Sequence, residues 1–197
     1  KPANGTITRV DGDGAAVTGD GALACATADS GNCTKTYDTA TAIKLKVVPD
    51  STWRFDAWGD ACTGELTTTC SLTMTADKTV SATFVKTYVL TITKPANGTI
   101  TRVTNAGATV TGAGALACAT ADTGDCTKTL DVNTAVYLEV VADSTYRFGA
   151  WGGDCLGELT TTCSLTMTGD KTASATFVKT YVLTITKPEH GTITRVD

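Results

Sequence analysis

The cysteines are the residues of this chain whose type and spacing could support chemistry. Eight are present among 197 residues, and they fall into four pairs of the form C-x7-C. These pairs are Cys25 and Cys33, Cys62 and Cys70, Cys118 and Cys126, and Cys155 and Cys163. Such pairs could bind a metal, exchange electrons or form structural disulfides. Zinc sites usually use C-x2-4-C ligand pairs and redox centres use C-x-x-C, and neither spacing occurs in the sequence.

Disulfide bonds are the chemistry that this pattern favours, with a metal site as the weaker alternative. The cysteine count is even, and the single histidine, His190, has no counterpart in the earlier copies of its motif. Four cysteines per repeat allow three pairings. The local pairing is preferred because the intervening segments, ATADSGN and TGELTTT in the first copy, look like loops that need pinning. Closing such a loop contributes about 2–3 kcal/mol, and disulfides indicate an oxidising compartment.

A long internal repeat carries these cysteines. KPANGTITRV begins at Lys1 and at Lys94, and KPEHGTITRVD begins at Lys187, so the period is 93 residues. Residues 1–93 and 94–186 are identical at 72 positions. The repeat predicts one module at 1–87 that lacks its first strand, a second at 88–180, and the first hairpin of a third at 181–197. This phase suits a segment of a longer array, or a subunit whose ends are completed by strands of its neighbours.

The elements that position the cysteines are predicted to be short β-strands. TAIKLKVVPD alternates Ile43, Leu45 and Val47 with lysines, which is typical of a half-buried strand. YVLTIT and GTITRV flank a turn whose Asn97-Gly98 pair suits the positive φ angles of a hairpin. Threonine fills the outward positions. One short helical turn is expected near 38–42, and residues 11–34 are expected to be irregular. The predicted fold is all-β: tandem, small antiparallel domains stapled by disulfides.

Composition excludes several functions. The net charge of −4 argues against nucleic-acid binding, which normally requires a basic face. No stretch approaches the roughly 18 apolar residues of a membrane span. No Ser–His–Asp arrangement or phosphate-binding loop occurs, so an enzyme is not predicted, and no cofactor is implied.

The order of these motifs resembles the divergent InlB B-repeat modules of bacterial surface proteins. The most specific parts are F-x-x-W-G-x-x-C, at Phe55 to Cys62 and Phe148 to Cys155, and the closing D-K-T-x-S-A-T-F at 77–84 and 170–177. The likeness covers the whole 93-residue unit. It implies small β-sheet domains related to the β-grasp, in tandem in extracellular proteins, as stalks or adhesive segments. It carries over no catalytic residue.

Two further groups could bind ligands. Asp11, Asp13 and Asp20 share one loop and are weak candidates for Ca²⁺, but repeat two replaces all three, so a solvated turn is the preferred interpretation. Trp53, with Phe55 and Trp58, could stack on a sugar. Core packing is preferred for Phe55 and Trp58, whereas Trp53, which becomes Tyr146 in repeat two, suits a partly exposed ring.

The leading prediction is therefore an extracellular structural protein, a segment of a bacterial cell-surface stalk or fibre. Its expected partners are neighbouring repeats of the same array, with self-association into a fibre. The alternative is an adhesin module that binds a carbohydrate or a host protein through the 11–24 loop and Trp53.

Overall fold

In a computed structural model of the chain, residues 1–195 are described, and they are built almost entirely of β-strands. The prediction of an all-β fold is confirmed. The chain divides into two compact units. Unit 1 contains Lys1–Tyr88 and Thr129–Asn133, and unit 2 contains Val89–Lys128 and Thr134–Asp197, of which residues up to 195 are described. In the described residues, no helix is long and apolar enough to span a membrane.

Unit 1 contains two β-sheet elements. Four antiparallel strands run in the order β2-β1-β3-β5, and β4 pairs with β6 in a separate sheet. The strands are β1 (Gly5–Val10), β2 (Ala24–Ala26), β3 (Ala42–Pro49), β4 (Trp53–Asp60), β5 (Thr69–Thr73) and β6 (Val80–Ile92), whose last four residues belong to unit 2. The alternation predicted for β3 is confirmed, because Ile43, Leu45 and Val47 are buried and join one core with Trp58.

Unit 2 repeats this arrangement. Four antiparallel strands run in the order β12-β10-β7-β8, and β11 pairs with β13. The strands are β7 (Gly98–Val103), β8 (Ala117–Ala119), β9 (Cys126–Asp131), β10 (Ala135–Ala142), β11 (Tyr146–Gly153), β12 (Thr162–Thr166) and β13 (Lys171–Lys179). The last three residues of β9 belong to unit 1. The final residues of β6 pair with β13 in parallel, and Leu90 and Ile92 are fully buried there.

The hairpin predicted around Asn97 is wrong. Strand β7 pairs with β8 and β10, whereas the end of β6 pairs with β13, so the two segments lie in different sheets. Ile92 and Ile100 are both fully buried, and Pro95 between the strands has no N–H for a ladder. Asn97 does take a positive φ of 76°. Gly98 is needed for close approach instead, since an added Cβ would clash with the Phe177 ring.

The helical turn expected near 38–42 is also wrong. Residues 39 and 40 form a turn, in which the Thr41 N–H donates to the Asp38 carbonyl oxygen at 3.2 Å. Ala40 has a φ of 62°, which a right-handed helix does not permit. Short 3-10 helices lie instead at Gly19–Gly21 and Gly112–Gly114.

The segment expected to start a third module contains no strand at 181–195. The apolar side chains in its first five residues are exposed, namely Tyr181, Val182, Leu183 and Ile185. Residues 196 and 197, the end of that predicted module, lie outside the described residues.

Candidate functional site

The cysteine pairs are the first candidate site, and the structure joins each cysteine to its near neighbour in the sequence. The four disulfides are Cys25–Cys33, Cys62–Cys70, Cys118–Cys126 and Cys155–Cys163, with Cα–Cα separations of 5.6 to 5.9 Å. Such separations are usual for disulfides. Four disulfides in a chain of this size are typical of an oxidising compartment.

The disulfide of the WGDAC segment is part of the core of unit 1. Cys62 and Cys70 are only 1% and 2% exposed, and they belong to the same buried cluster as Trp58. The Trp58 Nε1–H donates to the carbonyl oxygen of Thr67, inside the disulfide loop, at 2.8 Å. The ring of Phe55 lies 5.7 Å from that of Trp58. Trp58 therefore anchors the loop from inside and offers no face to a sugar.

The other disulfide of unit 1 lies beside a carboxylate, an arrangement that resembles a metal site in composition. One ligand atom each from Cys25, Asp29 and Cys33 lies within 4.8 Å of the others. Both sulfurs are bonded to each other, whereas a metal is bound by the free thiolate. Asp29 Oδ2 accepts the N–H of Ala26 at 2.7 Å. This carboxylate closes the turn inside the disulfide loop.

The weak calcium candidates also have a local structural role. Asp11 Oδ1 accepts the N–H groups of Asp13 and Ala15 at 3.0 and 2.9 Å, so it forms the loop rather than pointing away from it. In repeat two Thr104 replaces Asp11, and its hydroxyl accepts the N–H of Ala108 at 3.2 Å. A hydroxyl can accept this turn hydrogen bond in place of a carboxylate, although more weakly. Loop closure therefore explains why the acid can be exchanged.

Asp20, the third of these acids, lies in the short 3-10 helix Gly19–Gly21. In the described part of the chain, the clusters of convergent ligand atoms are those formed by cysteine pairs with Asp29 or Asp122. The three acids of the 11–24 loop are not brought together in such a cluster.

Trp53, the candidate ligand-binding residue, is half-buried at the start of β4. The Lys86 Nζ lies 5.4 Å from the centroid of its ring, within cation–π distance. The same ammonium group lies 5.7 Å from the Tyr88 ring and donates to the Thr52 hydroxyl. One face of Trp53 is therefore engaged by a lysine of its own unit.

One ion pair in unit 1 was not predicted from the residue pattern. Arg54 binds Asp131 in a bidentate manner, with Nε to Oδ1 at 2.6 Å and Nη2 to Oδ2 at 2.7 Å. The adjoining Val132 N–H donates to the Lys86 carbonyl oxygen at 2.8 Å. Asp131 belongs to the second sequence repeat, yet Thr129–Asn133 is part of unit 1. Unit 1 is thus completed by residues of the following repeat.

This ion pair shifts the titration of both partners. Hydrogen bonding to Arg54 lowers the pKa of Asp131, and hydrogen bonding to Asp131 raises the pKa of Arg54. A lowered carboxyl pKa stabilises the folded state above the ordinary unfolded-state pKa of about 3.9. That stabilisation is lost as the pH falls through the lowered folded-state pKa.

We expect Asp131→Asn to lower the free energy of unfolding of unit 1 by at most about 1 kcal/mol at neutral pH, because both side chains are more than one-third exposed and solvent screens them. The difference from the parent chain should shrink as the pH falls through the lowered pKa of Asp131. Urea unfolding at several pH values measures it. Asp38→Asn, at the equivalent position of repeat one, is the control, and an equal or larger effect there would contradict the assignment.

A search of curated proteins found no match. The family model described as the divergent InlB B-repeat domain matches residues 26–87 and 123–180, one region in each repeat. Each match contains the Trp–Gly–Cys segment and its buried disulfide, and together the two matches cover more than half of the residues. The chain therefore belongs to the divergent InlB B-repeat domain family.

Proposed function

We propose that this chain is a structural segment of a bacterial cell-surface stalk or fibre, in which tandem modules extend and space whatever they carry. The observation that carries the proposal is that unit 1 is completed by Thr129–Asn133 of the following repeat. Near-identical repeats in which one unit takes a segment from the next are suited to an array. Membership in the divergent InlB B-repeat family supports a place at the bacterial surface.

The disulfides support the same role. A surface stalk must persist outside the cell, where chaperones do not rescue unfolded modules and proteases cut exposed loops. Each unit closes two loops covalently, and one disulfide of each unit is buried beside a tryptophan. Covalent closure restricts the unfolded chain and so favours the folded one.

Electron microscopy of the native cells, with gold-labelled antibodies against the chain, tests the proposal. The expected result is label on filaments or stalks outside the cell. Label confined to the cell interior, or mass mapping of unreduced native protein that found free cysteine thiols, would contradict it.

Adhesion to a carbohydrate or a host protein is the second candidate, because the 11–24 loop is largely exposed and Trp53 is only half-buried. We expect Trp53→Ala to leave the pattern of bound glycans on an array unchanged, since Lys86 already engages the Trp53 ring. Trp53→Phe is the control that keeps an aromatic face. Glycan binding by the parent chain that is retained by the phenylalanine variant and lost in the alanine variant would favour the adhesin.

A further inference from the structure

Two asparagine–glycine dipeptides occupy equivalent turns of the two units. They are Asn4–Gly5 in unit 1 and Asn97–Gly98 in unit 2. Both asparagines take a positive φ, of 71° and 76°, a conformation that asparagine tolerates better than most other residues with a side chain. Both glycines are buried, and a Cβ added to either would clash with a phenylalanine ring, Phe84 or Phe177. The turn conformation and the packing therefore separately require two residues that stand next to each other.

An asparagine followed by glycine is the sequence in which asparagine most readily loses its side-chain amide. The backbone nitrogen of the glycine can lose its proton and attack the asparagine Cγ. The new N–Cγ bond closes a succinimide ring, the Cγ–Nδ2 bond breaks, and ammonia leaves. Water then opens the ring to give aspartate or isoaspartate, so the net reaction exchanges ammonia for water. Glycine favours the attack because it has no Cβ and the backbone moves freely.

The peptide group that would have to react is held at both of its ends in unit 2. The Gly98 N–H donates to Thr120 Oγ1 at 2.8 Å. The Asn97 carbonyl oxygen accepts the N–H of Asp143 at 3.0 Å. A hydroxyl oxygen that accepts from an N–H stabilises the protonated nitrogen, which is the unreactive form. Rotation of this peptide group towards the asparagine side chain would break both hydrogen bonds.

Thr120 is itself fixed in place. Its N–H donates to the Gly98 carbonyl oxygen at 3.0 Å. Its Oγ1 lies 2.9 Å from the same oxygen and 3.2 Å from Asp143 Oδ2, so the hydroxyl proton has an acceptor of its own. The lone pairs of Oγ1 are therefore left for the Gly98 N–H. Thr120 also lies inside the loop that the Cys118–Cys126 disulfide closes, which holds the hydroxyl against the glycine.

Unit 1 repeats each of these contacts. The Gly5 N–H donates to Thr27 Oγ1 at 2.8 Å, and the Asn4 carbonyl oxygen accepts the N–H of Asp50 at 3.0 Å. Thr27 Oγ1 lies 3.0 Å from the Gly5 carbonyl oxygen and 3.1 Å from Asp50 Oδ2. Thr27 lies inside the loop that the Cys25–Cys33 disulfide closes. The same reactive peptide group is thus held by the same kinds of partner in both units.

We propose that Asn4 and Asn97 are latent sites of covalent modification, which the hydroxyls of Thr27 and Thr120 protect from succinimide formation while the chain is folded. The attacking group is the backbone nitrogen of the next glycine, and the co-reactant is water. When a unit unfolds, the glycine N–H loses its threonine partner and the asparagine becomes free to react. Isoaspartate places the side-chain methylene in the backbone, and the close packing of the glycine against a phenylalanine ring leaves no room for it. A unit modified in this way is therefore prevented from rebuilding its turn.

Thr120→Val and Thr120→Ser in the 197-residue chain test the proposal. Valine keeps the branched shape and removes the hydroxyl, whereas serine keeps the hydroxyl. The folded chains are incubated at mildly alkaline pH, and mass spectrometry of their peptides measures the exchange of ammonia for water at each asparagine. We expect Thr120→Val to speed the reaction at Asn97 about fivefold, the factor that one hydrogen bond of about 1 kcal/mol represents. Thr120→Ser should react as the parent does.

Asn4 in the same molecule is the internal reference, since its own threonine is untouched in these variants. Thr27→Val is the reciprocal variant, and it should speed the reaction at Asn4 while leaving Asn97 at the parent rate. The parent chain unfolded in urea gives the unprotected rate, and both asparagines of the folded parent should react well below it. Equal acceleration of Asn4 and Asn97 by either valine variant would overturn the proposal.

Hydrogen exchange of the β7 amides from Ile100 to Val103 separates direct protection from general loosening of unit 2. These amides should stay as protected in Thr120→Val as in the parent. If their exchange speeds up by the same factor as the modification, loosening explains both and the proposal is overturned. It is also overturned if the folded and unfolded parent chains react equally fast, if Thr120→Val leaves the rate at Asn97 unchanged, or if serine accelerates the reaction as much as valine.

This inference goes beyond the proposed structural role and does not depend on it. The reaction is measured on the purified chain, so its outcome is independent of where antibodies label the cell.

Discussion

Leu90→Ala is expected to lower the free energy of unfolding of unit 2 by about 3 kcal/mol. Leu90 is fully buried, and its strand holds the parallel edge of β13 through three pairs of residues. Truncating a buried leucine removes its burial free energy and leaves a cavity, which together cost about 2–5 kcal/mol. Urea unfolding followed by hydrogen exchange of the unit 2 amides measures the change without interference from unit 1.

Leu183→Ala is the matched control, because Leu183 has the same sequence neighbours but is exposed. At a concentration where the chain is dilute, it should change the free energy of unfolding by no more than about 0.5 kcal/mol. Equal effects at Leu90 and Leu183 would mean that both strands are bound alike. The described difference between the two segments would then be wrong.

Replacing Cys62 and Cys70 together by alanine is expected to cost unit 1 about 3–5 kcal/mol. Closing the short loop contributes about 2–3 kcal/mol by the chain-entropy argument, and loss of two buried sulfurs adds a cavity next to Trp58. Trp58 should become more accessible, because the loop that accepts its Nε1–H is no longer closed. Non-reducing urea unfolding and tryptophan fluorescence measure these effects.

The double substitution of Cys25 and Cys33 is the control for burial, since both loops close over the same sequence separation. Cys33 is half-buried, so we expect the loss to stay near about 2–3 kcal/mol. If removing Cys62–Cys70 lowered the free energy of unfolding by less than removing Cys25–Cys33, the core role of Cys62–Cys70 would be contradicted.

The local features of each repeat could be predicted from residues alone. The alternation of Ile43, Leu45 and Val47 has one physical solution, a strand with one buried face. The packing of Trp58 could be inferred because a large ring beside two closely spaced cysteines has few places to go other than the core. Both predictions depend on neighbours in the sequence, which a single chain displays directly.

Features that depend on distant pairing could not be predicted in this way. Nothing in YVLTIT indicates that it pairs in parallel with Lys171–Ala173, about 80 residues later, instead of with the nearby GTITRV. Similarly, Asp131 and Asp38 have almost the same neighbours, but Asp131 is the one of the two that forms an ion pair with Arg54. The segment CTKTYD contains no strand, whereas its counterpart CTKTLD is β9. Each of these features depends on a partner that lies far away in the sequence.

Because Thr129–Asn133 belongs to unit 1, the sequence repeat and the folded unit do not share the same boundary. A deletion or duplication of one whole period keeps each completing segment 93 residues after the equivalent segment of the unit that it completes. This holds wherever the breakpoints lie. A change of any other length would leave a unit without its completing segment and Arg54 without the Asp131 carboxylate. Unequal recombination between near-identical copies produces whole-period changes. An array of this kind can therefore gain or lose repeats over generations while its interior units stay complete.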